Sequence, residues 1–328
     1  MVPYVPRAPN QKPYCTMAPL ITKILLATDF SDCAALAQEY ALLLASTWKA
    51  DLAILHVLEF QPGMDPELPV NHVYLEQLRK EAEQQLIQLR AQLARRGLAG
   101  ESRHVTGIPS LRIAQEATEV GADLVVLGTH GRTGLAHVLL GSTAERVIAS
   151  APCPVLTVRM QREPARPQTA AAIPSIRRLL VPVDFSDYSL EALEYAAQLA
   201  KQCGAALTLL HVMEPVSYGL DFTLALGEDA QATRAGLEAR LADLAIPLLA
   251  QGLAVDQHVR GGTPTDSILG WTSHQAYDVI VMGTHGRRGL SHLASGSVAE
   301  AVLRRAPCPV LTVKSPKFGP GHQRHSPP

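Results

Sequence analysis

Two seventeen-residue stretches carry the residue types and spacing best suited to chemistry: LGTHGRTGLAHVLLGST from Leu127 to Thr143 and MGTHGRRGLSHLASGSV from Met282 to Val298. Each holds a glycine, two residues, a second glycine, nine residues, a third glycine and a serine. These are Gly128, Gly131, Gly141 and Ser142 in the first, and Gly283, Gly286, Gly296 and Ser297 in the second. An apolar run precedes each stretch, Asp123 to Leu127 or Asp278 to Met282, and a helix-permissive segment follows, Thr143 to Ala149 or Val298 to Arg304. The order is strand, glycine-rich loop, helix start. Glycine lets backbone amides approach a ligand with no Cβ in the way. The first turn of a helix adds unpaired N–H groups and a partial positive charge. Together they form an anion site, most often for phosphate. The alternative reading is a crossover loop whose glycines only permit tight turns.

The elements that must position these loops occur twice. An offset of 155 residues separates Asp29 from Asp184, His56 from His211, Gly107 from Gly262, Gly128 from Gly283, Gly141 from Gly296 and Cys153 from Cys308. Such constant spacing is duplication, so one fold description serves both halves. Each half opens with an apolar strand, Lys23 to Thr28 or Arg178 to Val183, ending in Asp-Phe-Ser. A helix over Asp32 to Trp48 or Asp187 to Cys203 follows, with Asp32 and Asp187 placed to cap it. Strands at Leu52 to Leu58 and Ala206 to Met213 come next. Leu75, Leu78, Ala82, Leu86, Leu89 and Leu93 then recur at helical spacing, matched by Leu237, Leu241, Leu244 and Leu248. Pro247 is expected to kink or shorten that second long helix. A third strand, a short helix from Pro109 or Pro264, the strand before the glycine loop, a fourth helix and a closing strand (Pro154 to Arg159, Pro309 to Lys314) complete each half.

Strands alternating with helices imply parallel βαβ units. The expected fold class is α/β: two tandem doubly wound domains, each a five-stranded parallel sheet with the closing strand as its edge, flanked by helices. Ligands on such sheets bind beyond the strand C-termini, where the strand order reverses. Asp29, His56 and Gly128 all fall at strand C-termini and can converge on one crevice.

The expected organisation is a tail at 1–20, domains at 21–160 and 176–314, a proline-bearing linker at 161–175 and a second tail at 315–328. With 328 residues and 47% apolar content, the chain can bury two cores. A net charge of −1 argues against a nucleic-acid partner. No apolar run is long enough to span a bilayer. The first twenty residues, rich in proline, lack the apolar core of a signal peptide, so cytoplasm is the expected location. The scattered cysteines Cys15, Cys33, Cys153, Cys203 and Cys308 include no C-x-x-C pair and read as reduced thiols. His322 and His325 read as part of a solvated tail rather than a metal site.

Rival phosphate motifs fail on spacing. A P-loop needs a lysine after its glycines, and a dinucleotide fingerprint needs G-x-G-x-x-G after the first strand, where this chain has Asp-Phe-Ser. No nucleophile elbow is evident. An aspartate at a strand end can also merely form a turn, and His56 and His211 read as structural.

The Asp-Phe-Ser strand end, the Leu-His-Val strand end, Gly-x2-Gly-x9-Gly-Ser and the terminal Pro-Cys-Pro-Val-Leu-x-Val together resemble the universal stress protein family in its tandem form. The resemblance covers everything except the tails and linker, and it implies ATP binding, because the glycine motif marks the members that bind it. Carried over by position, it implies that Asp29 and Asp184 bond the adenosine portion and that Val57 and Val212 hold the adenine. Gly128, Gly131, Gly283 and Gly286 would line the ribose and phosphates. Gly141, Ser142 and Thr143, or Gly296, Ser297 and Val298, would donate to phosphate oxygens. The neighbours Thr28, Val183, Leu127 and Met282, with Arg132 and Arg287 in the loops, complete the expected set. Magnesium would come with the phosphates. Thr143, and Ala27 where the second half has Pro182, depart from the family pattern, which favours the second site. The apolar closing strands, Val155 to Val158 and Val310 to Val313, invite pairing as sheet edges. The resemblance implies an internal pseudo-dimer of the halves and, by extension, a homodimer of chains.

Overall fold

The computed structural model describes residues 21–59, 69–129, 140–160, 174–214, 228–284 and 297–314. The first half runs β1 (Lys23–Thr28), α1 (Asp32–Trp48), β2 (Asp51–Leu58), α2 (Pro69–Arg95), β3 (Gly100–Thr106), α3 (Pro109–Glu119), β4 (Leu124–Gly128), α4 (Ser142–Ser150) and β5 (Val155–Val158). The second repeats it as β6 (Arg178–Pro182), α5 (Asp187–Cys203), β7 (Ala206–Met213), α6 (Glu228–Ala250), β8 (Val255–Gly261), α7 (Pro264–His274), β9 (Val279–Gly283), α8 (Ser297–Arg305) and β10 (Val310–Val313). The expected fold class holds. Every expected element is present, with ends within about two residues of the sequence reading.

Within each half the strands are parallel, and β5 pairs antiparallel with β10 through Val310↔Thr157, Leu311↔Leu156 and Thr312↔Val155. One ten-stranded sheet results, in the order β3-β2-β1-β4-β5-β10-β9-β6-β7-β8. The seam is reinforced by Thr157 Oγ1 donating to the Val310 carbonyl and Thr312 Oγ1 to that of Val155, both at 3.1 Å. Parallel strands read as unbroken apolar runs because helices cover both faces. Along β1, Ile24 and Leu26 enter the core under α1 and α2, whereas Leu25 and Ala27 enter the one under α3 and α4. The first of these cores is continuous across the seam, joining Leu156 and Val158 to Leu311 and Val313.

The aspartate preceding each glycine-loop strand ties two strand starts together. Asp123 Oδ2 accepts from the Thr22 and Lys23 amides at 2.8 and 3.1 Å. Asp278 Oδ2 does the same for Arg177 and Arg178 at 2.7 and 2.9 Å.

Two expectations are corrected. The caps of α1 and α5 are Ser31 and Ser186, whose side chains accept from the Ala34 and Ser189 amides, with Asp32 and Asp187 inside the first turn. Pro247 does not shorten α6, which runs on to Ala250, the counterpart of Arg95 at the end of α2. Proline there removes one bond in the last turn, while buried Ala245 and Leu248 still hold that turn to the sheet.

Candidate functional site

The sheet order reverses between β1 and β4 in the first half, and between β6 and β9 in the second, so a crevice opens beyond those strand ends. The chain leaves β1 in a tight turn that explains each letter of Asp-Phe-Ser. Phe30 adopts the left-handed region (φ 61°), as does Phe185 (φ 62°), a costly conformation away from glycine that the surroundings must hold. Asp29 Oδ1 accepts from the Ser31 amide at 3.1 Å and from its hydroxyl at 2.6 Å. Asp184 Oδ1 holds Ser186 in the same way at 3.0 and 2.5 Å. Each phenylalanine ring packs on the histidine from the next strand, His56 at 4.6 Å and His211 at 4.9 Å between centroids.

Those histidines are buried, and Nδ1 of each lies against a carbonyl, Thr28 at 2.8 Å and Val183 at 2.6 Å. A carbonyl only accepts, so Nδ1 carries the hydrogen. Their role is structural, locking one strand end to the next and leaving the neighbouring Val57 and Val212 half-buried at the crevice.

The loop ends beyond β4 are pinned. The Thr129 amide donates to the Val158 carbonyl and the Gly141 amide to the Thr129 carbonyl, both at 2.8 Å. Gly141 therefore has its N–H committed to protein, against the expectation that it donates to phosphate. Three of the glycines have a packing role besides. A Cβ on Gly141 would lie 2.6 Å from the Thr129 carbonyl oxygen, one on Gly128 3.0 Å from Cys33 Sγ, and one on Gly283 2.7 Å from Tyr188 Cβ. At these three positions close packing of the chain on itself requires glycine, whatever the loop binds. The donors left are at the start of α4. Its first helical bond runs from the Glu145 amide to the Gly141 carbonyl at 3.0 Å, so the amides of Ser142, Thr143 and Ala144 have no acceptor within the helix.

The structure brings Thr28, Asp29, Val57, Leu127, Gly128, Gly141, Ser142 and Thr143 together around one cavity of about 590 Å³. That is within the usual range for small-molecule sites, roughly 300 to 1,000 Å³. Val183, Asp184, Val212, Met282, Gly283, Ser297 and Val298 stand at the counterpart strand ends and helix start of the second half. Gly131, Arg132, Gly286, Arg287 and Gly296 lie outside the described residues.

The cavity also has a wall the sequence reading did not assign: Tyr74, Leu78, Glu81, Ala82 and Gln85 of α2, with Glu59, Pro109 and Ile113. The signal was present in the helical period, since positions 81 and 85 flank the leucine stripe one turn apart. Among the described residues no group of three or more histidines, cysteines, aspartates or glutamates is placed to hold a metal. No described helix is long and apolar enough to cross a membrane.

Comparisons with known proteins agree with this architecture. The chain is 33% identical over 147 residues to a universal stress protein of Methanocaldococcus jannaschii, covering 44% of this chain and 85% of that one. It is 29% identical over 231 residues to one of Mycobacterium tuberculosis, covering 67% of this chain and 71% of that one. A crystal structure of a universal stress protein from Archaeoglobus fulgidus superposes with a TM-score of 0.66 at 25% identity, covering 89% of this chain and 96% of that one. The sequence model of the universal stress protein family matches residues 21–159 and again 175–314, and this chain belongs to that family.

Proposed function

We propose that each half binds an adenine nucleotide, ATP first among them, and that the chain acts as a nucleotide-dependent regulatory module in a stress response. The observation that carries this reading is the first-half cavity, where the Asp29 turn, Val57 and the open amides of α4 face one another. These residues fit the group. A helix start with unpaired amides suits a phosphate tail, the half-buried valine offers an apolar edge to a purine, and a carboxylate accepts from ribose hydroxyls. Mg2+ would accompany the phosphates, which supply most of its ligands.

The Asp29 oxygen that already accepts from Ser31 favours holding the nucleotide over activating water for hydrolysis. Two nucleotide-binding domains, at 21–160 and 176–314, form an internal pseudo-dimer in this reading, supported by the β5–β10 pairing. Cytoplasmic location and a homodimer of chains belong to the same proposal.

Equilibrium dialysis with ATP and Mg2+ tests it, comparing the wild type with Ser142→Glu plus Ser297→Glu. A glutamate in the first turn suits the helix but repels a phosphate. Loss of retention by a folded double variant is the expected result. Equal retention by both proteins overturns the proposal.

A further inference from the structure

We propose that the two crevices rank adenine ligands differently by charge: the second favours the polyphosphate strongly, and the first, which also admits it, discriminates less against a monophosphate. The proposal rests on the nucleotide-binding reading above, and two independent differences between the halves carry it.

The first difference is the wall formed by the long helix. Glu81 and Gln85 line the first cavity. The 155-residue offset puts Gly236 and Arg240 at those places in α6. The alignment is secured by packing, because Leu86 and Leu93 of α2 are buried, as are Leu241 and Leu248 at the same offset. The guanidinium of Arg240 lies 4.0 Å from the ring centroid of Phe185, the residue directly after Asp184. A cation is thus held beside the second strand-end aspartate, where the first half presents an amide. Asp29 and Glu59 have acidic counterparts in Asp184 and Glu214, so they cancel in the comparison. Tyr74, on the same wall, has Asp229 at its place, so across the wall the second half is more positive by one charge in sum, with the cation of Arg240 replacing Gln85 next to the strand end. Charge lining a cleft acts on a multivalent anion over distances longer than a contact.

The second difference is in the ladder. β1 and β4 stay paired as far as Ala27↔Leu127. β6 and β9 pair only at Leu179↔Val279 and Leu180↔Ile280. Pro182, at the place of Ala27, has no N–H to give, so the strands are released before the crevice. A longer phosphate chain gains room there.

Titration calorimetry with ATP and with AMP tests the division, using Ser142→Glu to isolate the second site and Ser297→Glu to isolate the first. The ratio of ATP to AMP affinity is expected to be larger at the second site by on the order of tenfold. Arg240→Gln is expected to lower that ratio, and Glu81→Gly with Gln85→Arg to raise it at the first site. Circular dichroism melts establish that each variant is folded. Equal ratios at the two sites, or ratios unmoved by the wall substitutions, overturn the division while leaving nucleotide binding intact. Failure of the wild type to bind either nucleotide overturns both.

Discussion

The Lys314 ammonium donates to the carbonyl of Ala149, in the last turn of α4, from the opposite half of the chain. Arg159 Nη1 returns the arrangement by donating to the Arg304 carbonyl in the last turn of α8. The helix whose start faces one crevice therefore has its negative end neutralised by a cation from the other half. Arg304 adds an ion pair between the two helices, with Glu145 at 3.6 Å. A cation at a helix C-terminus is worth about 0.3 to 1 kcal/mol, more when partly buried. Lys314→Met and Arg159→Met should each lower stability by about 1 kcal/mol in urea unfolding. The loss should shrink in high salt, because screening weakens what was removed. A loss that does not change with salt would point to packing instead.

Gly141→Ala should destabilise the first half by about 1 to 3 kcal/mol, the usual cost of overpacking. Its Cβ would sit 2.6 Å from the Thr129 carbonyl oxygen, which is itself held by the Gly141 amide, so neither partner can retreat cheaply. Thermal unfolding followed by circular dichroism measures this. A variant as stable as the wild type would show that the loop end relaxes, and the glycine would again need a ligand to explain it.

Much of the fold was legible because the signals were local and repeated. The Val- and Leu-rich strands and the leucine stripe of α2 each report a period, and the 155-residue offset let each half check the other. The site was legible down to the residues on strand ends and helix starts, where topology alone forces Asp29, Val57, Gly128 and Ser142 together. What escaped notice depends on direction rather than position. That Ser31 rather than Asp32 caps α1 goes with the left-handed turn at Phe30, and that the Gly141 amide turns to Thr129 rather than outward is set by how the loop ends meet; no periodicity announces either. The α2 wall escaped because Glu81 and Gln85 look like ordinary solvated positions until the helix is laid over the crevice.

The ends of α1 and α5 offer a matched pair for stability. Lys49 and Gly204 are the C-caps, both left-handed, at φ 53° and φ 66°. A Cβ on Gly204 would meet nothing within 4 Å, so only backbone conformation separates the two residues there. A left-handed conformation costs a side-chain-bearing residue roughly 1 to 2 kcal/mol relative to glycine, partly offset by glycine's freer unfolded chain. Gly204→Ala should cost about 1 kcal/mol and Lys49→Gly should gain somewhat less. Denaturant midpoints moving the opposite way would refute this account of the caps.

Burial, reinforced by nearby carboxylates, pushes the two thiols just ahead of the closing strands far from their ordinary range. Cys153 is held up to about 12 by desolvation and then by Asp123, and Cys308 to about 12 by desolvation and then by Asp278. Tyr40 is likewise raised to about 12, by burial first and then by Asp278 and Cys308. A thiol or phenol that stays protonated in the fold but ionises when unfolded gives stability that is whole below its unfolded pKa, about 8.5 for cysteine. That stability is lost as pH rises from there through the folded value of about 12. Unfolding free energy should therefore be level between pH 7 and pH 8 and fall steadily above pH 9. Alkylation of Cys153 and Cys308 by iodoacetamide at pH 8.5 should be slow in the native protein and fast in urea, because only the thiolate reacts. Rapid native-state alkylation at both positions, read by peptide mass spectrometry, would show that the seam opens often enough to expose them.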